Sequence, residues 1–234
     1  MADSHRRLQL GLACMIAATA LALVPSAIGR STTPRGQQGA PAVPSIHSAV
    51  FVELFTSEGC SSCPPADESL RQISGRITPE GQLIVGISEH VTYWDHLGWK
   101  DPFSSELLTD RQSKYGEHFG LSSVYTPQMV VNGREQFVGS DRSTMIAAFA
   151  SESGRRQIDL HITSAHLTPN GLDFAYSASD LPASSRLHLF VIVVDDNNHS
   201  NVSRGENSSK QLIHSSVARL FVPLVRFIKR RDCR

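Results

Sequence analysis

Hydrophobic residues in the first half of the chain form short runs that are separated by polar segments containing glycine and proline. Residues 49–55 (AVFVELF) and 83–88 (LIVGIS) are short and mostly apolar, which is typical of buried strands. Between these runs, residues 67–73 place Leu70 and Ile73 three positions apart, as on one face of a helix. The order strand, helix, strand predicts a βαβ unit with two parallel strands.

The pattern then predicts two further helices. Residues 104–119 have apolar side chains at helical spacing, Ser104 or Ser105 suits the N-cap, and Gly120 is expected to end the helix. Residues 141–151 (DRSTMIAAFAS) form the next predicted helix. Together with the βαβ unit, these helices predict an α/β fold.

A hairpin is predicted between these two helices. Its strands, at 124–131 and 136–138, flank an Asn-Gly pair that suits a type I′ turn. Pro127 is expected at the first residue of a strand, because proline is poorly tolerated inside a central strand. A cis Thr126–Pro127 bond would make a tight bend here, whereas a trans bond would make an ordinary loop end.

From residue 157 onward, apolar and polar residues alternate instead. Residues 158–162 and 172–176 predict a second hairpin, and 187–194 (LHLFVIVV) predict a further strand before a polar segment. We therefore expect residues 154–234 to form a smaller, β-rich C-terminal region.

The N-terminus has the layout of a secretory signal peptide, predicted over residues 1–29. Arg6 and Arg7 precede a 13-residue apolar run at 12–24, and small or helix-breaking residues follow it. A membrane-spanning helix needs about 20 apolar residues, so we expect cleavage and no stable membrane insertion afterwards. Residues 30–48 are rich in Ser, Thr, Gly, Pro and Gln and predict a flexible linker. The expected location is the periplasm or the extracellular medium.

Composition excludes several classes of protein. The 22 Lys and Arg residues balance 22 Asp and Glu residues, which argues against a nucleic-acid partner because such proteins normally carry a basic excess. Four cysteines in 234 residues are too few for a disulfide-dense scaffold. Cys14 lies in the predicted signal peptide, so Cys60, Cys63 and Cys233 remain.

The motif Cys-Ser-Ser-Cys at residues 60–63 follows the first predicted strand and opens the first predicted helix. We expect the strand end and Gly59 to expose the sulfur of Cys60, and the helix N-terminus to lower the pKa of its thiol. Cys60 is thus the predicted nucleophile of thiol–disulfide exchange, and Cys63 the buried resolving partner. Glu58 is expected either to accept protons during exchange or to face water.

Two other interpretations of the cysteine pair stay open. Disulfides persist outside the cytoplasm, so Cys60 and Cys63 also suit a structural disulfide in a non-catalytic binding module. A copper or zinc delivery protein is the third possibility, since His90, Asp95 and His96 follow the next strand. A zinc site usually needs a second cysteine pair or two histidines at fixed spacing. We predict no metal and no dissociable cofactor for the exchange function.

The candidate substrate-binding residues come from two segments. Residues 89–103 contain both tryptophans of the chain, and Tyr93 and Trp94 are candidates for a binding platform because aromatic side chains occur at recognition surfaces. Packing in the core is the alternative role for these rings. Thr126 and Pro127 are the other candidates, because the predicted bend would lie beside the cysteines.

The strand–CxxC–helix order, followed by Thr-Pro before a hairpin and a last helix, resembles the thioredoxin fold over residues 49–153. The segments FVELFTSEGCSSCPPAD, YWDHLGWKDPF, VYTPQMVVNGREQFVGSD and SRGENSSKQLIH are similar to domain-of-unknown-function family 1223, which comprises exported thioredoxin-like proteins. The resemblance runs from about Ala49 to His214.

This resemblance implies a thioredoxin-like βαβ-αββα domain in which Cys60 and Cys63 are the redox pair and Pro127 is a cis-proline. Thr126–Pro127 would present backbone groups to an extended substrate segment. The expected partners are protein or small-molecule thiols and disulfides. The resemblance names no substrate, so the direction of exchange and the oligomeric state stay open.

The sequence departs from this family near its end. Only Val217-Ala218-Arg219 is similar to the expected continuation, and an apolar and then basic segment follows. We therefore expect a truncated or frame-shifted end to the β-rich region. In that case Cys233 is a free thiol.

Overall fold

The computed structural model describes residues 48–169, 171–181 and 186–228. The predicted signal peptide, the linker up to residue 47, Cys14 and Cys233 lie outside these ranges. The described elements are, in order, β1 (Ser48–Thr56), α1 (Pro64–Ile73), β2 (Gln82–His90), α2 (Glu106–Phe119), β3 (Gln128–Val131), β4 (Glu135–Val138), α3 (Arg142–Ser151), β5 (Asp159–Thr168), β6 (Gly171–Ser179), β7 (Arg186–Asp195), β8 (Asn198–Asn201), β9 (Gln211–His214) and β10 (Val217–Ile228). Within these ranges, no helix is both long and apolar enough to span a membrane.

A six-stranded sheet forms the centre of the fold, in the order β4-β3-β1-β2-β10-β7. β1 and β2 are parallel and joined by α1, so the predicted βαβ unit is confirmed. β3 runs antiparallel to β1, and β3 and β4 form the predicted hairpin. The chain thus has an α/β, thioredoxin-like fold, in which residues 49–153 supply four of the six strands.

The last two strands of this sheet come from the C-terminal region. β10 begins beside β2, with Val217 opposite Ser88, and then pairs antiparallel with β7. The sequence pattern did not predict β10, because residues 217–228 contain a proline and show no regular alternation of apolar and polar residues. The sheet therefore continues from the thioredoxin-like part into the C-terminal region.

Local signals set the ends of the helices. Ser105 is the N-cap of α2, and its hydroxyl accepts a hydrogen bond from the backbone of Leu108. Gly120 ends α2 with φ 65°, a left-handed conformation that favours glycine, as predicted. Asp141, the first residue of the predicted third helix, lies just outside α3 and caps it through hydrogen bonds to its first turn.

Two hairpins lie outside the central sheet. β5 and β6 form the predicted hairpin of the β-rich region, with mostly exposed residues. β8 and β9 form a second two-stranded sheet that the sequence did not predict. Short links join β8 to β7 and β9 to β10, and the residues at their inner ends, Asp195 and Val217, are directly paired.

The two faces of the central sheet have different cores. One face packs against α1 and α3 through residues such as Leu54, Leu70 and Ala148. On the other face, a cluster around Phe55 is covered by aromatic side chains that include Tyr93, Trp94, Tyr115 and Phe119. Tyr93 and Trp94 therefore take part in core packing, the alternative role considered for them.

Candidate redox site at the first strand–helix junction

Cys60 and Cys63 form a disulfide between the end of β1 and the start of α1. The turn is closed by hydrogen bonds from Cys60 N to Ser57 O, at 3.1 Å, and from Cys63 N to Cys60 O, at 3.2 Å. Cys63 is the N-cap of α1, and its carbonyl accepts the first hydrogen bonds of the helix. Pro64 and Pro65 have no N–H group, so it is the positive end of the α1 dipole that favours negative charge at the disulfide.

The expected exposure of the Cys60 sulfur is wrong for this state of the protein. Cys60 and Cys63 both have 0% exposed surface, whereas the intervening Ser61 and Ser62 are exposed. The physical reason is that segments distant in sequence pack on this loop: the turn between β8 and β9 is hydrogen-bonded to its backbone, and Trp94 packs on Gly59. We call β8, β9 and the turn between them, residues 198–214, the cap hairpin.

Asn207 is the main contact between the cap hairpin and the cysteine loop. Its side-chain amide donates both protons to backbone carbonyls, to Glu58 O at 2.8 Å and to Cys60 O at 2.9 Å. The Lys210 ammonium donates to Asn207 Oδ1 at 2.8 Å and so fixes the orientation of the amide. Asn207 itself is fully buried. These hydrogen bonds hold the cap hairpin directly on the backbone of the redox site.

Glu206 makes a second contact from the same turn. Its carboxylate accepts a hydrogen bond from the backbone nitrogen of Ser61, at 3.0 Å. Hydrogen bonds from Ser61 hold the pKa of Glu206 below its usual value. The exposed carboxylate of Glu206 is thus the hydrogen-bond acceptor of an N–H group within the CxxC loop.

Glu58 does not face water, so that alternative is wrong. Its side chain is fully buried, and the indole of Trp99 donates to Oε2 at 2.7 Å. His214 Nε2, at the end of β9, lies 3.1 Å from Oε1. Glu58 therefore joins residues 89–103, which we call the aromatic segment, to the cap hairpin.

A second buried acid–histidine pair lies beside the first. His90 Nδ1, at the end of β2, is 2.6 Å from Asp101 Oδ2, and neither side chain is exposed. Burial acts to raise the pKa of Asp101, but the charge and hydrogen bond of His90 outweigh it and the pKa is lowered. Burial likewise acts to lower the pKa of His90, but Asp101 outweighs it and the pKa is raised. The rings of His90 and His214 are in edge-to-face contact, with 4.7 Å between their centroids.

Asp67 completes the ionisable groups of this region. It follows Cys63 by four residues, so both lie on the same face of α1. Burial raises the pKa of Asp67, although His214 and His90 act in the opposite direction. Among the described residues, no three His, Cys, Asp or Glu side chains are arranged to hold a metal ion.

The predicted substrate-binding residues lie on the other side of the cysteine loop. The Thr126–Pro127 bond is cis, as the resemblance implied, and the indole of Trp94 donates to Thr126 Oγ1 at 2.8 Å. A Cβ on Gly59 would lie 2.9 Å from Trp94 Cβ, so Trp94 packs directly on the residue before Cys60. The structure thus brings Trp94 and Thr126 together, with Trp94 packed against Gly59.

A separate buried cluster lies on the α2 side of the sheet. Arg111 and Tyr115 both hydrogen-bond the carboxylate of Glu53. Glu89 Oε1 is 3.5 Å from Arg111 Nε, and burial together with the neighbouring Glu53 raises the pKa of Glu89 well above its usual value. Phe221 of β10 covers the Arg111 guanidinium, at 4.9 Å from the ring centroid.

Comparison with known proteins agrees with this architecture. The family model described as "Protein of unknown function (DUF1223)" matches residues 51–232. The chain belongs to this family. The crystal structure of protein AGR_C_4864 from Agrobacterium tumefaciens is similar, with 28% sequence identity and a TM-score of 0.58 over 76% of this chain and 73% of that chain. No curated protein gave a significant match.

Sequence reasoning missed most of the residues that surround this DUF1223 disulfide. Glu206, Asn207 and His214 belong to the segment SRGENSSKQLIH, which signalled the family without indicating any role. Asp101 and Trp99 belong to YWDHLGWKDPF in the same way. The one available signal that these two segments contact the redox site was that each contains many polar residues although it lies far from the cysteines in sequence.

Proposed function

We propose that this protein catalyses thiol–disulfide exchange through Cys60 and Cys63 after export from the cytoplasm. The observation that carries the proposal is the Cys60–Cys63 bond at the N-terminus of α1. Once the bond is reduced, the helix N-terminus stabilises a thiolate over a thiol there, which makes the sulfur both a better nucleophile and a better leaving group. The expected partners are protein or small-molecule thiols and disulfides.

In the oxidising direction, a substrate thiolate attacks Cys60 Sγ. The Cys60–Cys63 bond breaks, and Cys63 leaves as a thiolate that takes up a proton. A second substrate thiolate then attacks the substrate sulfur of the mixed disulfide and releases Cys60. The substrate dithiol loses two electrons to the cysteine pair, and its two protons end on Cys60 and Cys63. Reduction of a substrate disulfide is the same sequence in reverse.

Thr126 and Trp94 are the proposed contacts for the substrate. The carbonyl of Pro127 already accepts a hydrogen bond from Gly139 N, at 2.9 Å, so we assign substrate binding to the backbone of Thr126. The hydrogen bond from Trp94 orients the Thr126 side chain. An extended substrate segment would then run beside the cysteine loop.

Two measurements test the proposal. The reduction potential of the Cys60/Cys63 couple should lie above about −300 mV, since structural disulfides usually lie below this value. A Cys63→Ala variant should trap mixed disulfides with exported proteins through Cys60, and the Cys60→Ala/Cys63→Ala double variant is the matched control. A low potential together with no trapped partner would rule out exchange. Fractionation of cells that produce the full chain tests the proposed export.

A binding module with a structural disulfide is the second candidate function. The complete burial of both sulfurs favours it, because inert disulfides are protected from attack. In that case the disulfide should stay oxidised at the potential of the exported compartment, and Cys60→Ser/Cys63→Ser should lower the thermal midpoint without changing the set of bound partners.

A further inference from the structure

We infer that the cap hairpin is a displaceable latch that controls access to the Cys60–Cys63 disulfide, and that Asn207 is the residue that holds it closed. The inference rests on the proposed exchange function and concerns the regulation of the same site. It follows from the hydrogen bonds that join the turn of this hairpin to the loop of a disulfide without exposed surface.

Exchange requires an attacking sulfur to reach Cys60 directly. The attacking thiolate must contact the disulfide sulfur, so the rate depends on access to it. Cys60 has no exposed surface in the oxidised structure. A covering segment must therefore move before any thiol reacts.

The cap hairpin is better suited to move than the aromatic segment on the other side. It forms a two-stranded sheet of its own, and the described part of the chain provides no third strand for it. Such a hairpin is marginally stable alone, so its position depends on the contacts that it makes. The buried anchor of the hairpin, the His214–Glu58 contact, lies at the end of β9 and not in the turn. The aromatic segment, by contrast, is anchored by the buried Asp101–His90 pair and by the Trp94–Thr126 hydrogen bond.

The contacts of the turn with the cysteine loop are few and polar. Asn207 binds the carbonyls of Glu58 and Cys60, and Glu206 binds the backbone nitrogen of Ser61. When the turn lifts while β9 and its buried His214 stay in place, water replaces these partners, so opening costs about the net strength of three hydrogen bonds. The turn also packs on Trp99, since a Cβ on Gly205 would lie 3.2 Å from Trp99 Cβ.

The latch acts on the turn that the disulfide closes. Cys60 O accepts hydrogen bonds both from Cys63 N within the turn and from Asn207 above it. The observed rate of exchange is then the intrinsic rate multiplied by the fraction of molecules in which the latch is open. A partner that binds the hairpin, or a substitution that weakens Asn207, increases that fraction.

The test is the rate at which dithiothreitol reduces Cys60–Cys63 in the folded full chain. Its thiolate attacks the disulfide, its second thiol closes the dithiothreitol ring, and two electrons and two protons pass to the cysteines. We expect Asn207→Ala to raise the second-order rate constant about tenfold or more, as for two lost hydrogen bonds. The matched control is Ser208→Ala, which removes an exposed hydrogen bond to Ser203 O within the same turn and should change the rate less than twofold.

An Asn207→Ala rate within twofold of wild type would overturn the latch. If Asn207→Ala shows no cooperative thermal unfolding, Glu206→Gln replaces it, because this exposed residue affects only the Ser61 contact. A severalfold faster reduction then supports the latch, and an unchanged rate overturns it. A faster rate combined with a low reduction potential and no partner trapped by Cys63→Ala would leave the latch standing and reject the exchange function.

Discussion

Asp101 and His90 form a fully buried pair, with 2.6 Å between Oδ2 and Nδ1. The same Asp101 oxygen accepts a hydrogen bond from the backbone of Glu58, at 2.8 Å. One carboxylate oxygen therefore joins the end of β2 to the segment that leads into the cysteine loop. The packing of the redox site depends on this carboxylate being ionised.

We expect Asp101→Asn to lower the free energy of unfolding by about 3 kcal/mol, because it leaves a buried partner unpaired. Because folding raises the pKa of His90, the pair stabilises the fold fully at pH values below 6.5, the ordinary pKa of histidine. This stabilisation is lost as the pH rises through the pKa that His90 has in the folded protein. The lowered pKa of Asp101 makes it complete above 3.8 and lost as the pH falls through the folded value.

Urea unfolding of wild type and Asp101→Asn between pH 4 and 9 measures this effect. The difference should be largest between about pH 4 and 6.5 and should shrink toward pH 9. Asp110→Asn, on the exposed surface of α2, is the control and should change stability by less than about 0.5 kcal/mol at every pH. A difference that grows toward pH 9 would contradict the ion pair.

The carboxyl group of Glu89 is also buried, but its pKa is raised, whereas the pKa of Asp101 is lowered. Among the described residues, neither carboxyl oxygen of Glu89 has a hydrogen-bond partner, and Glu53 and Arg111 are its charged neighbours. Since the folded pKa lies well above 4.5, folding favours the protonated form, and Glu89 costs stability as the pH rises from 4.5 toward the folded value. Glu89→Gln keeps the shape and removes this cost.

We therefore expect Glu89→Gln to gain about 1 kcal/mol or more relative to wild type between pH 5 and pH 8. Chemical denaturation at the two pH values measures the gain. Glu117→Gln, at an exposed position of α2, should show no such change. An identical pH profile for Glu89→Gln and wild type would mean that Glu89 is ionised in the folded protein.

Gly59 predicts a steric effect next to the disulfide. A Cβ there would lie 2.9 Å from Trp94 Cβ and 3.3 Å from its carbonyl oxygen. Gly59→Ala should therefore destabilise the fold by about 1–3 kcal/mol, as overpacking does. Thermal unfolding measures the loss, and Ser62→Ala, exposed in the same loop, is the control. An unchanged midpoint would show that the aromatic segment shifts freely.

Trp94 and Thr126 should be energetically coupled. Their 2.8 Å hydrogen bond is the side-chain link between the aromatic segment and the residue before Pro127. A double-mutant cycle with Trp94→Phe and Thr126→Val should give a coupling free energy of about 1 kcal/mol. Additive effects in the cycle would show that the two segments are stabilised independently.

The parts of the fold that depend on nearby residues were predictable. The side chain of Ser105 caps the start of α2, and the left-handed backbone of Gly120 ends it, so the sequence predicted both ends. The position of the disulfide could also be predicted, because the order of strand, cysteines and prolines within a few residues determines it. The expected hairpin between α2 and α3 formed with Asn132 and Gly133 both at positive φ.

The surroundings of the disulfide were not predictable in this way. Asn207 and Cys60 are 147 positions apart in the chain, and the residues next to either of them do not predict their contact. The exposure of Cys60 was therefore predicted wrongly from its own neighbourhood alone. His214 likewise reaches Glu58 across 156 positions, as the last residue of a four-residue strand with little periodicity to recognise.

The attachment of the cap hairpin limits how it can move. Its two links leave the central sheet from Asp195 and Val217, which are opposite each other on neighbouring strands. Asn197 and Ser216 within these links have positive φ values of 59° and 51°. Both stems thus join the sheet at one place, and the buried His214 side chain fixes the second stem there, so movement of the latch is confined to the turn beyond it and the turn stays close to the loop that it covers.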